Sequence, residues 1–300
     1  MNIDELSSAT MLVTGGNTGI GLETVVGLAR TGTHVVFTAR TMSKGEAALR
    51  EIADRSGNTR VEVMQLDLAS FASIREFARE FLDRHDRLDV LVNNAGLAPA
   101  GHRWETAEGF EAAFGVNHLG HFLLTSLLLD RIIASAPARI VVVSSGAHAV
   151  APNGLCFDDL QHEREFHSMR VYGESKLANI YFARELATRL AGTGVTVNAL
   201  NPGYVATELG RIRPEDEAVA IRPPAPATTA PAQSLTANLP SPMSPEDGAK
   251  TTLLLALAPE LADVSGAYFS ECRRVPLGPV ASDDDAARRL WQISNELILR

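Results

Sequence analysis

Three hundred residues, 45% hydrophobic and 21% charged, can bury a full core and have the composition of a soluble globular chain. A net charge of −9 argues against nucleic acid, whose phosphates call for basic patches, and disfavours anionic membrane surfaces. The two cysteines, Cys156 and Cys272, lie far apart without metal-ligand spacing and read as thiols in a reducing compartment.

The opening "MNIDELSSAT" carries acids where a signal peptide carries bases. The run "HFLLTSLLLD" is about half the roughly 20 residues a membrane span needs. No membrane span and a cytoplasmic location are expected.

Nearly continuous apolar runs predict strands at 9–15, 34–40, 61–67, 88–94, 139–145 and 195–201. Helical patterns fall between them at about 19–31, 43–56, 70–86, 105–131 and 171–192. This alternation predicts an α/β fold, a doubly wound parallel sheet of the Rossmann type, in a single domain spanning 1–300.

Between the first strand and first helix, "TGGNTGIG" places Gly15, Gly19 and Gly21. Glycines there let the backbone turn tightly and set a pyrophosphate on the helix N-terminus. The second strand ends in "FTART", with Ala39 where an acid would bind the ribose hydroxyls of NAD, followed by Arg40. A guanidinium suits a 2′-phosphate, so NADP(H) is favoured over NAD(H), although Thr18 adds no second basic contact.

The helix at 171–192 opens on Tyr172 and Lys176, one turn apart on one face. The spacing alone leaves two readings open, a surface pair on a packing helix or an acid–base device. His118, His121 and His148 read as packing residues, Trp104 and Trp291 as packing or substrate-wall residues, and no metal site is expected.

Residues 210–245, with "RPPAPATTAPAQ" and "LPSPMSP", are too rich in proline and alanine for a sheet or packed helix. They read as an insertion leaving the sheet's carboxyl edge, expected to act as a flexible lid over the substrate. A helix (245–258), a strand (266–271) and a terminal helix opened by "SDDD" (282–285) close the chain.

Six motifs in one order resemble the short-chain dehydrogenase/reductase family: the glycine turn, "LDL" (66–68), "NNAG" (93–96), "VNHLGHF" (116–122), "VVVSS" with "YGESK", and "NPGYVAT" (201–207). "VNHLGHFLLTSLLLD", the insert at 153–170 and "GAYFSECRRVPLG" are similar to the branch of retinol dehydrogenases and WW-domain oxidoreductases. The resemblance favours the acid–base reading of Tyr172 and Lys176. It implies Asn117, Ser145, Tyr172 and Lys176 as catalytic residues, Ser145 rather than Ser144 carrying the hydroxyl. It implies a cofactor cradle of Gly15, Asn17, Thr18, Gly19, Ile20, Gly21, Arg40, Asp67, Leu68, Asn94, Ala95, Gly96, Tyr172, Lys176, Pro202, Gly203, Val205 and Thr207.

Under that reading Tyr172 gives the proton that carbonyl reduction needs. Lys176 lowers the phenol's pKa and holds the ribose, Ser145 polarises the substrate oxygen, and Asn117 holds a relay water. The expected substrate is a small apolar carbonyl compound or alcohol, and a homo-oligomer is compatible with the sequence. Two other functions compete: a non-catalytic NADP(H)-sensing regulator, which usually lacks part of the tetrad, and a sugar-nucleotide epimerase or dehydratase, which carries a different glycine spacing.

Overall fold

In the computed structural model, which describes residues 7–99, 101–205 and 241–299, the apolar runs pair into one eight-stranded sheet. The strands are β1 (Thr10–Val13), β2 (His34–Ala39), β3 (Val61–Gln65), β4 (Val90–Asn93), β5 (Ala138–Val143), β6 (Val195–Asn201), β7 (Tyr268–Ser270) and β8 (Arg273–Arg274). Their order is β3-β2-β1-β4-β5-β6-β7-β8, and every pairing is parallel except that of β7 with β8. The helices are α1 (Gly19–Ala29), α2 (Met42–Ser56), α3 (Phe71–Arg84), α4 (His121–Ala134), α5 (Ser168–Arg189), α6 (Pro245–Leu257) and α7 (Asp284–Leu297).

The central strands are buried along nearly their whole length because helices cover both faces. One core joins the sheet to α3, α4, α5 and α7; the other joins it to α1, α2 and α6. The chain reverses its winding between β1 and β4, the switch point whose carboxyl edge is the usual crevice for ligands in such folds.

Two expectations are corrected. Residues 105–110 are not helical: Glu105 and Glu111 form an isolated antiparallel bridge around a turn at Gly109 (φ +85°). The buried Glu111 then accepts from the amides of Ala113 (2.9 Å) and Phe114 (2.7 Å), so its carboxylate starts the helix. That helix opens as a π-helical stretch, Phe114–Gly120, before α4. The short antiparallel β8 was not expected; Glu271 and Cys272 make its turn with φ of +51° and +58°. Of the expected insertion at 210–245, residues 210–240 lie outside the described residues; Ser244 caps α6 by accepting from Asp247 N at 3.1 Å.

Candidate active site

The site forms along the carboxyl ends of β1, β4, β5 and β6. After β1 the chain turns through Gly15 (φ +65°) and Gly19 (φ +55°). A Cβ on Gly21 would sit 2.1 Å from the Gly15 carbonyl oxygen and 2.6 Å from Asn94 Nδ2, so only glycine permits this closure. Thr18 occupies the N-cap of α1 without a side-chain cap, and the first turn holds no acid. The amides of Gly19, Ile20 and Gly21 therefore present an uncontested positive helix end. Asn17 is half-buried beside it and Thr18 exposed.

Arg40 follows β2, and its charge acts on Asp67 after β3, partly offsetting the burial that raises that carboxyl's pKa. Asp67 Oδ1 accepts from Ala69 N at 2.9 Å, which holds the turn around Leu68. The Leu68 side chain is buried in the core, so a ligand there can meet only its backbone. Beside Arg40, the buried hydroxyl of Thr41 has no hydrogen-bond partner.

Asn94 does not point its amide outward. Nδ2 donates to the Thr14 carbonyl at 2.9 Å, while the amides of Asn94 and Ala95 donate to Thr14 Oγ1 at 2.9 and 3.0 Å. Thr14 Oγ1 also lies 2.9 Å from His121 Nε2, and His121 Nδ1 lies 3.1 Å from the Asn117 carbonyl. Burial pushes His121 down to about 4, so the ring is neutral at pH 7. Only an N–H can serve the carbonyl, which puts the proton on Nδ1 and makes Nε2 the acceptor from Thr14. The Asn117 side chain is committed too. Oδ1 accepts from Leu97 N (2.8 Å), and Nδ2 donates to Leu97 O and Ser175 Oγ, each at 2.9 Å.

Lys176 is fully buried, and burial lowers its pKa to about 8. Its Nζ donates to the Val143 carbonyl at 3.3 Å, and no carboxylate pairs with it among the described residues. A Cβ on Gly96 would come within 3.3 Å of this ammonium, so glycine keeps the approach to it open. Tyr172 stands one turn earlier, its ring centroid 5.7 Å from Nζ. Burial raises the phenol's pKa, and a hydrogen bond with Ser145 opposes that rise. In this state the Lys176 ammonium bonds the Val143 carbonyl.

Gly173 explains how the phenol reaches Ser145. A Cβ there would lie 2.3 Å from Val150 Cγ2 and 2.6 Å from the Ala147 carbonyl oxygen, so the missing side chain lets α5 pack against the turn after β5. Ser144 is buried, and its hydroxyl donates to the Lys176 carbonyl at 2.7 Å. Half-buried Ser145 is the serine that meets Tyr172.

The loop after β6 is held by Asn201, whose Oδ1 accepts from Gly203 N and Gly146 N, both at 3.0 Å. Pro202 and Gly203 (φ +95°) turn the chain so that Val205 bridges to Met243, and Val205 packs near Ile20 over Gly248. Thr207 lies outside the described residues. Among the described residues, Val150, Met169, Tyr204 and Met243 are large apolar side chains left exposed.

Packing is the role expected of all three histidines. His118 fits that assignment, with Nε2 2.8 Å from Ser294 Oγ and aromatic neighbours Phe114, Phe122 and Phe182. Trp291 packs on Phe122 and Phe182, and Trp104 is buried. His121 braces the cofactor motifs instead. His148 Nδ1 lies 2.8 Å from the Ser145 carbonyl, with its ring on Tyr268. The contacts of His121 with Thr14 and of His148 with Tyr268 join distant segments and leave no local spacing to read.

The uncapped helix end, the positive-φ glycines and the buried ammonium fit a dinucleotide carrying phosphates and ribose hydroxyls. A family model described as short chain dehydrogenase matches residues 9–157 and 160–218. The chain is 46% identical over 290 residues to human retinol dehydrogenase 13, covering 96% of this chain and 84% of that protein. It is 43% identical over 296 residues to mouse retinol dehydrogenase 12, covering 98% and 87%. Among solved structures, an uncharacterised Mycobacterium paratuberculosis protein matches with a TM-score of 0.72 at 32% identity, covering 100% and 97% of the two chains. An NAD(P)-dependent gluconate 5-dehydrogenase candidate from Beutenbergia cavernae, solved with NADP, matches at a TM-score of 0.65 and 30% identity, covering 89% and 97%.

Proposed function

The chain belongs to the short-chain dehydrogenase family, and we propose that its reaction interconverts an apolar aldehyde or ketone and the matching alcohol. It is an oxidoreductase acting on CH–OH donors with NAD(P). The proposal extends to NADP(H) as preferred cofactor and Tyr172 as general acid and base. The observation that carries it is the meeting of Ser145, Tyr172 and a buried Lys176, which has no carboxylate partner among the described residues, at the carboxyl edge of the sheet.

Bound nicotinamide dinucleotide supplies the hydride in reduction and accepts it in oxidation. The Tyr172 hydroxyl gives its proton to the substrate oxygen in reduction and its phenolate removes one from the alcohol in oxidation. Ser145 donates a hydrogen bond to that oxygen as negative charge develops. The Lys176 ammonium, now bonded to the Val143 carbonyl, would hold the ribose hydroxyls of a bound cofactor and would stabilise the phenolate from one turn away. His121 and Thr14 hold the Asn117 backbone and the "NNAG" segment in register, so the residues facing the cofactor are fixed beforehand.

Cofactor preference rests on Arg40, with the Thr41 hydroxyl as a neighbouring donor and Ala39 in place of a repelling acid. The apolar substrate rests on the exposed Val150, Met169, Tyr204 and Met243, borne on loops at the sheet's carboxyl edge or on the first turn of α5, and on the retinol dehydrogenase relatives. NADPH oxidation over straight-chain aldehydes of increasing length tests this reading. Each buried methylene is worth about 0.8 kcal/mol, so kcat/KM should climb about fourfold per carbon until the site is filled. No turnover with any aldehyde, ketone or alcohol would overturn it.

A further inference from the structure

At the opposite edge of the sheet, three side chains distant in sequence converge. His34 opens β2, Glu62 is the second residue of β3, and His85 caps the end of α3. Glu62 Oε1 lies 3.2 Å from His34 Nε2 and 2.9 Å from His85 Nε2, and all three atoms fall within 4.8 Å of one another. His85 is almost fully buried, with a side-chain exposure of 7%. Neither Glu62 Oε1 nor His85 Nε2 makes a well-aligned hydrogen bond, although two imidazole nitrogens stand around one carboxylate oxygen at ion-pair distance. Buried polar atoms are rarely left unmatched, and two that lie 2.9 Å apart without hydrogen-bond geometry, with the His34 nitrogen beside them, are arranged as ligands around a common point.

We propose that His34, Glu62 and His85 bind a divalent transition-metal ion of the zinc class. Two imidazoles and one carboxylate form a donor set that suits Zn²⁺, whose ligand atoms lie about 2.0–2.2 Å from the metal and hence about 3.3 Å apart. The 3.2 and 2.9 Å separations from Glu62 need shifts of a few tenths of an ångström, within the reach of side-chain rotation. Arg84 pairs with the other Glu62 oxygen, Oε2, and so orients the carboxylate with Oε1 toward the two rings. His34 and Glu62 are 25% and 22% exposed, which leaves a path for the ion and room for water as a fourth ligand. The site ties β2, β3 and the end of α3 together at the amino edge, away from the catalytic groups, and its effect falls on stability rather than turnover.

The test uses the full chain stripped by a chelator and titrated with ZnCl₂ by calorimetry, with Co²⁺ as a spectroscopic probe. The proposal expects one equivalent bound, a visible Co²⁺ d–d band, and a melting temperature that rises with zinc. His34→Gln, at a partly exposed position, should remain folded, weaken zinc binding by at least about tenfold and keep wild-type turnover. His85→Gln should remove the Co²⁺ band, and if it unfolds, His34→Gln alone decides. Binding of less than one equivalent by the wild type, or undiminished affinity in His34→Gln, overturns the site.

Discussion

The Ser144 hydroxyl donates to the backbone carbonyl of Lys176 at 2.7 Å, pinning the end of β5 to the helix that carries the catalytic pair. Its neighbour Ser145 is the serine that bonds the Tyr172 side chain. The two serines should therefore separate cleanly on mutation. Ser144→Ala loses one buried hydrogen bond and should cost about 1 kcal/mol of stability in urea melts, with a small change in kcat. Ser145→Ala should melt like the wild type while kcat falls about 100-fold or more. The reverse pattern would assign the hydroxyl to Ser144.

Lys176 is held at a cost to the fold. Burial lowers its pKa from 10.5 to about 8, so between those values the unfolded chain binds more protons than the folded one. Stability contributed at this residue thus rises with pH across that window, and the cost is fully present below about 8. Lys176→Met removes the charge at similar length and should stabilise the cofactor-free protein at pH 7 by about 1–3 kcal/mol, less the lost bond to Val143. The gap should narrow toward pH 10, while activity and cofactor affinity are lost. A variant less stable than wild type at pH 7 would contradict this account.

Arg40 should set the choice of cofactor. Fluorescence titration is expected to show NADPH bound more tightly than NADH by about 1–3 kcal/mol, the range of charge-assisted phosphate contacts. Arg40→Ala should remove most of that difference without weakening NADH. Equal affinities in the wild type would reject NADP(H) preference.

The features legible in the sequence are those encoded within a few residues. The turn around Gly15, Gly19 and Gly21 and the i, i+4 spacing of Tyr172 and Lys176 fall where the structure places them, because local backbone geometry dictates both. The start of the helix before α4 was missed because its cap is the carboxylate of Glu111, which sits inside an otherwise helical pattern. The bracing of Asn117 by His121 and Thr14 was missed because the partners are 107 residues apart. The same holds for His34, Glu62 and His85, brought together only by the pairing of β2 with β3 and the packing of α3. Likewise, spacing places Lys176 near Tyr172 but cannot show that its ammonium turns to the Val143 carbonyl.

The central claim is that the Tyr172 hydroxyl moves the proton. Tyr172→Phe deletes that oxygen and keeps the ring, so single-turnover oxidation of bound NADPH with an aldehyde substrate isolates the step. The account predicts NADPH affinity within about twofold of wild type and a chemical step slowed by about three orders of magnitude or more, about 4 kcal/mol in the barrier. A variant that binds NADPH normally and reduces the aldehyde within tenfold of the wild-type rate would contradict it.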